Sequence, residues 1–355
     1  MGKKILTRMG DGERVWMTPL EIKDDIQAGT AAASKRGKIP ELTAQEQDQL
    51  YAIMADPSRI VSVEPGEEVV VSDDGCSMSF YSGQDGGGVG APLSRLQAIL
   101  TYERACGADT TSMGHSDYSY KPVKPIVNFE ANEYYNISQV STVPFFYGAQ
   151  PNLGLYFQPD GPCPNAAELM PQGKIEEARK SQEQAADYLT DDLVSVGKKL
   201  AEVGLEGLNF DTCGSAGDAD FLAALRAVEK LKKDLPDLPI LMGGSGEFII
   251  GMHGDLNYNG QRLAGMYTFD QAKAVEAAGA DIFGMAVNTA TTESVQWNLA
   301  RAVTYLKATT AAVNIPVHAN VGMGVCGVPM MEQPPIDSVT RVSKTLVQIG
   351  KADGL

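Results

Sequence analysis

Positive charge is scarce in this chain. Its 355 residues hold 29 Lys and Arg against 45 Asp and Glu, a formal net charge of −16. A nucleic-acid binder needs a basic face for phosphates, so nucleic acid is not an expected partner. The same deficit argues against anionic lipid. Long apolar runs are missing too. No uncharged stretch reaches the ~18 residues of a spanning helix, so no membrane segment is expected. The basic start Met1-Gly-Lys-Lys-Ile-Leu-Thr-Arg8 has no apolar core behind it, unlike a signal peptide. Cysteine is sparse. Cys76, Cys106, Cys163, Cys213 and Cys326 contain no C-x-x-C pair and fit no zinc or disulfide framework. Reduced, mostly buried thiols in a cytoplasmic protein are expected.

What remains is globular: 43% hydrophobic and 21% charged, which excludes disordered and fibrous chains. Two short apolar runs around Gly10-Asp11-Gly12 predict a hairpin over 4–17. Thr18-Pro-Leu-Glu21 and Thr43-Ala-Gln-Glu46 have the S/T-x-x-E form of a helix start, in which each end satisfies the other's backbone donor. Short strands are expected over 60–81, a glycine-rich loop over 82–91 and a helix over Pro92–Cys106. Residues 1–106 therefore read as an α+β lead-in.

From 107 onward, apolar runs alternate with amphipathic stretches. Strand candidates start near Ala108, Val143, Gly207, Ile240, Asp281, Val317 and Asp353. All but one of the intervals lie near the ~30 or more residues of a strand–helix unit. Gly107-Ala-Asp, Gly279-Ala-Asp and Lys351-Ala-Asp353 repeat a local form at three of these starts. A doubly wound sheet needs G-x-G-x-x-G after a strand. Gly86-Gly-Gly-Val-Gly90 and Gly243-Gly-Ser-Gly246 both miss its last position. The expected fold is α/β, a (β/α)8 TIM barrel over 107–355 on which the lead-in packs. About six units and the start of strand seven are present, so the barrel is expected to be incomplete.

Barrel chemistry sits at the C-terminal ends of strands. Glu247 and Asp211 fall there as candidate acids or bases, and Asp117 follows His115. Asp218 reads as the opening of a helix over 217–234. The three histidines, His115, His253 and His318, all follow strand candidates, yet no H-x-H or H-E-x-x-H spacing supports a metal, and none is expected. Asn288 and Asn320 end strands and can orient a substrate. Aromatics crowd 118–157. Most read as core or interface, with Tyr147 as the candidate wall of a cage for a methylated ammonium.

Several stretches carry a resemblance: Arg8-Met-Gly-Asp-Gly12, Gly114-His-Ser-Asp-Tyr-Ser, Lys121-Pro-Val-Lys-Pro125 and Phe146-Tyr-Gly-Ala-Gln-Pro-Asn-Leu-Gly-Leu-Tyr156. Asn209-Phe-Asp-Thr212, Ala216-Gly-Asp-Ala-Asp-Phe221, Gly251-Met-His-Gly254, Asn298-Leu-Ala-Arg301 and Gly322-Met-Gly-Val325 continue it, in order, along the whole chain. The chain resembles the dimethylamine:corrinoid methyltransferase family. The resemblance implies methyl transfer from dimethylamine to the cobalt of a separate corrinoid protein. It also implies a pyrrolysine immediately after the Asp353-Gly-Leu355 segment, read from an amber codon. The chain as it stands is then expected to be inactive. No D-x-H-x-x-G string, the source of the cobalt ligand in corrinoid carriers, occurs here, so no tightly bound cofactor is expected. Glu247, Asp211 and His115 are the candidate catalytic residues. Tyr147, Asn288, His318 and Asn320 are the candidate substrate-binding residues, in an expected homo-oligomer. Two alternatives stand beside this reading. One is a lyase using the histidines as metal ligands, or Lys121 or Lys124 as a Schiff base. The other is a non-catalytic fragment.

Overall fold

The computed structural model describes residues 4–69, 123–127, 146–151, 153–202, 204, 207–251, 255–322, 324–331 and 334–355. For 123–127, 146–151, 211 and 212 it describes the backbone alone. In chain order the elements are β1 (Ile5–Arg8), β2 (Arg14–Met17), α1 (Pro19–Gly37), α2 (Ala44–Ala55), β3 (Val123–Val127) and β4 (Phe146–Pro151). Then come a single-turn α3 (Ala166–Leu169), α4 (Ile175–Glu202), β5 (Gly207–Cys213), α5 (Asp218–Asp234) and β6 (Ile240–Gly244). Last are the short strands β7 (Asn257–Tyr258) and β8 (Gln261–Arg262), α6 (Thr268–Ala278), β9 (Ile282–Met285), α7 (Val295–Thr310), β10 (Val317–Ala319) and α8 (Ile336–Gln348). The strand starts expected at Gly207, Ile240, Asp281 and Val317 fall on or one residue before β5, β6, β9 and β10. The expected strand at Ala108 and helix at Pro92–Cys106 lie outside the described residues.

The chain forms two compact units. The first comprises Met1–Val71, Tyr267–Glu276 and Ile282–Leu355; the second comprises Ser72–Met266 and Ala277–Asp281.

In the first unit, β1 and β2 pair antiparallel as the expected hairpin. Both expected capping boxes are present: Thr18 with Glu21 starts α1, and Thr43 with Glu46 starts α2. The buried face of α1 is Ile22, Ile26, Gly29, Thr30 and Ala33, the spacing of one helical stripe. This stripe lies on α7 so closely that a Cβ at Gly29 would stand 2.2 Å from the Trp297 carbonyl oxygen. Beside it the Thr30 and Thr304 hydroxyls meet at 2.8 Å, which satisfies two polar groups in an otherwise apolar seam. β9 and β10 run parallel, with Val317 opposite Phe283 and Ala319 opposite Met285. All four of these residues are buried.

Residues 60–69 form no strand; the remainder of the 60–81 stretch expected to hold short strands lies outside the described residues. Side chains of α8 bind the main chain just before and at the start of 60–69. The Arg341 guanidinium donates to the carbonyls of Asp56 and Ser58, both at 2.8 Å, and the Thr340 hydroxyl accepts from the Val61 amide at 3.4 Å.

In the second unit, β4, β5 and β6 run parallel, while β3 pairs antiparallel to β4. The antiparallel strand departs from the parallel pattern expected after 107. Its sequence, Val123-Lys-Pro-Ile-Val, carries a proline, which cannot donate to a ladder and is tolerated at an edge. α4 and α5 pack together, with Gly197 of α4 against Leu231 and Leu208. α5 buries Phe221, Leu222, Leu225, Val228 and Leu231.

The repeated Ala-Asp form has one structural role in both units. In the second unit the Asp281 amide donates to the Ile240 carbonyl at 2.8 Å, and its carboxylate accepts from the Ile240 amide at 2.8 Å. In the first unit the Asp353 amide donates to the Val317 carbonyl at 3.0 Å, and its carboxylate accepts from the Val317 amide at 2.8 Å. Gly279 and Lys351, two residues before each aspartate, share a left-handed backbone with φ of 94° and 61°. Each aspartate thus meets the first amide and carbonyl of the strand that precedes it. The strand expected at Asp353 begins to form, since Gly354 bridges His318 in parallel.

Gly29 tests the α1–α7 seam. Alanine in place of glycine inside a helix gains ~1 kcal/mol on propensity. Here the new methyl meets a backbone carbonyl that cannot rotate away, and overpacking costs ~1–3 kcal/mol. We expect Gly29→Ala to lower the urea midpoint; a raised midpoint would mean that the helices separate at no cost.

Candidate functional site

β5 and β6 end side by side in the second unit. Phe210 pairs with Met242 and Cys213 with Gly244, so three steps along β5 match two along β6. The extra residue makes a bulge at Asp211–Thr212, a distortion that re-aims the chain and recurs at strand ends next to active sites. It also explains why Phe210 and Cys213 are both buried although they are three residues apart.

Past β6 the chain bends over 245–247. Glu247 and Ile249 turn in, with Glu247 8% exposed, while Phe248 and Ile250 turn out. The β5–α5 loop braces this segment on both sides of Glu247. The Ser245 amide donates to the Cys213 carbonyl at 3.1 Å. On the other side, a Cβ at Gly217 would come within 2.7 Å of the Ile250 carbonyl oxygen. Gly217 has φ of 112°, a conformation closed to other residues.

Beneath this loop lies an acid that sequence reasoning passed over. Asp220 is the third residue of α5 and is 0% exposed. One carboxyl oxygen accepts from the Ala216 amide at 3.0 Å and faces the Ser215 hydroxyl at 3.4 Å. The other has no hydrogen-bond partner. Burial outweighs the main-chain amides of Ala216, Gly214 and Phe221 and pushes its carboxyl up to about 7. Asp218, which opens α5 as expected, is also buried and raised. There too burial wins over main-chain hydrogen bonds and the Arg262 charge. The available signal was an acid at the third helical position after Gly214-Ser-Ala-Gly217, where a side chain can reach back to loop amides.

Tyr147 is the second residue of β4, opposite Leu208 at the start of β5, and not the last residue of its strand. Asp211 lies at the other end of β5, in the bulge. The strand register therefore sets these two candidates at opposite ends.

The first unit holds the other candidates. His318 stands on β10 with Gly284 of β9 opposite it on one side and Gly354 on the other. The residue is half-buried. Burial lowers its pKa, against a hydrogen bond to the Leu355 main chain. Asn320, on the same strand face by alternation, is half-buried, and its amide donates to the Met285 carbonyl at 2.9 Å. Asn288 follows β9 and is exposed.

Buried side chains lace this end together. The Arg301 guanidinium donates to the Asn288 carbonyl and stacks over Trp297 at 5.4 Å. Asn298, one turn before Arg301, accepts from the Ala290 amide at 2.8 Å and donates to its carbonyl at 2.9 Å. The Thr289 hydroxyl donates to the Val328 carbonyl at 2.9 Å. The Arg8–Gly12 motif closes the set: the Gly10 amide donates to Glu293 and its carbonyl accepts from Met330, both at 2.7 Å. Arg8 grips Asp337 through two bonds of 3.0 and 3.1 Å. Burial opposes ionisation of Asp337, but Arg8 outweighs it and holds the carboxyl below its usual range. Asn298 and Arg301 were legible only as part of a resemblance. Their work, holding main-chain groups of a loop, leaves no pattern of its own in sequence.

His115, Asp117, His253, Lys121 and the Gly83–Gly90 loop lie outside the described residues, as do the side chains of Asp211, Tyr147 and Lys124. Among the described residues no three His, Cys, Asp or Glu stand together as a metal site, and no helix is long and apolar enough to cross a membrane.

A family model described as dimethylamine methyltransferase matches residues 3–355. The chain belongs to the dimethylamine methyltransferase family.

Asp220 gives a pH signature. Its folded pKa of about 7 lies above its ordinary 3.8. Between these values the folded chain holds a proton that the unfolded chain releases, so the stability this group lends falls as pH rises towards 7. We expect Asp220→Asn to flatten the decline in melting temperature over that window. An unchanged slope would show that Asp220 is ionised throughout.

Proposed function

We propose that this protein transfers a methyl group from dimethylamine to the cobalt of a separate corrinoid protein and releases methylamine. The match of the family model over residues 3–355 carries the reading. The absence of a D-x-H-x-x-G string supports placing the corrinoid on a partner. Buried thiols at Cys163, Cys213 and Cys326 suit a reducing, cytoplasmic setting. The finer fold reading is a (β/α)8 barrel, supported by the alternation of parallel strands with helices and by the repeated Ala-Asp clip.

The reaction sets a proton requirement. Cobalt(I) supplies the electron pair of the new cobalt–carbon bond, and the carbon–nitrogen pair stays on nitrogen. Methylamine leaves well only if that nitrogen is already protonated or otherwise activated, so a carboxyl at the site is needed to hold the ammonium or deliver the proton. Glu247 fits that role, since it is buried in the segment that follows β6. Asp211 and His115 are the other candidates. Asn288, His318 and Asn320 would orient the amine. Burial of His318 disfavours its charged form, which would repel an ammonium. A pyrrolysine after Leu355 would supply an electrophilic imine able to fix the amine nitrogen, converting an encounter into an oriented geometry.

Two measurements test the reading. Methyl transfer should require an added corrinoid protein, and Glu247→Gln in the pyrrolysine-containing protein should cut turnover ~10²–10⁴-fold with little change in melting temperature. Stoichiometric cobalt in the purified protein, or wild-type turnover in the variant, would count against it.

A further inference from the structure

The acid beneath the β5–α5 loop has no place in the chemistry above, yet it is among the most deeply buried polar side chains described. We infer that Asp220 is a positioning residue, which fixes the segment carrying Glu247 by holding the 214–217 loop against it. The inference rests on the role proposed for Glu247.

The geometry runs in three steps. Asp220 bonds the Ala216 amide at 3.0 Å, inside the loop. The loop closes on itself where the Gly217 amide donates to the Gly214 carbonyl at 3.1 Å. Its two glycines then abut the residues on either side of Glu247. A Cβ at Gly214 would lie 3.4 Å from the Ser245 hydroxyl, and one at Gly217 would lie 2.7 Å from the Ile250 carbonyl. The segment is held from beyond as well. The Ile249 amide donates to Met266 at 3.0 Å, and the Ile249 carbonyl accepts from Gly265 at 2.8 Å. Loop 214–217 is therefore the brace on the strand side of Glu247, and Asp220 is the buried side chain that shapes it. Burying a carboxyl with one oxygen unpartnered is costly. An apolar residue would fill the space at less cost, but would leave the Ala216 amide without its acceptor.

The experiment uses the pyrrolysine-containing protein with its corrinoid partner. Asp220→Ala should lower kcat at least tenfold with a smaller change in KM. Asp220→Asn, which keeps an acceptor for the Ala216 amide, should restore kcat to within about threefold of wild type. The deciding measurement is the double variant: in a Glu247→Gln background, Asp220→Ala should lower kcat no further, because Asp220 acts through Glu247. Equal losses from Asp220→Ala in both backgrounds would overturn the inference. Gly217→Ala perturbs the same brace from its other face and should show the same non-additivity, which keeps the test open if Asp220→Ala folds poorly. Hydrogen exchange separates this inference from the assigned activity. Amides 245–250 should exchange faster in Asp220→Ala than in wild type, and as in wild type in Asp220→Asn, whatever the protein methylates. Unchanged exchange in Asp220→Ala would refute the brace. Absent methyl transfer by the wild type would refute only the reaction.

Discussion

Every parallel strand must begin somewhere, and its first amide and carbonyl must be met there. The aspartate clip meets that constraint. Asp281 and Asp353 each return one carboxylate and one amide to the first residue of the preceding strand, Ile240 and Val317. A carboxylate accepting a main-chain amide is a charge-assisted bond, stronger than the amide–carbonyl bond it replaces. At Asp281 the charge is offset by Lys232, whose ammonium lies 3.1 Å from the carboxylate and also donates to the carbonyls of Pro236 and Leu238.

The opposite ends of the strands are organised differently. There the chain leaves the ladder in loops, and buried side chains take over the work of the ladder. Asn298, Arg301 and Thr289 hold the loop after β9, and Asp220 holds the loop after β5. Each is a polar group placed where burial is expensive, and each is retained because a main-chain group would otherwise be orphaned. The candidate residues Glu247 and Asn288 sit on chain held in this way. Loops held in this way are rigid without being part of a strand.

Much of the fold was legible in local sequence. The two capping boxes, the hairpin around Gly10-Asp-Gly12 and the starts of β5, β6, β9 and β10 depend on neighbours a few residues away, so short-range patterns report them. Residues 60–69 misled for the same reason. Their composition suits a strand, but a strand exists only if another strand accepts it. Here Arg341 holds the main chain of Asp56 and Ser58 just before this stretch, and the Thr340 hydroxyl meets the Val61 amide within it, both from far away in the chain. The antiparallel course of β3 was hidden likewise, because direction belongs to a pair of strands and not to one.

The sequence by itself determined the periodicity, the caps, the acidic surface and, through the resemblance, the family. Glu247 and His318 could be picked out because strand ends can be counted along a chain. Tertiary structure alone decided that Tyr147 begins β4 and that an extra residue at Asp211 bulges β5. It alone set His318 between two glycines and left Asp220 with a proton near neutral pH. The reason is physical. Register, burial and the loss of water around a carboxyl are properties of what surrounds a residue, and those surroundings come from parts of the chain far away in sequence.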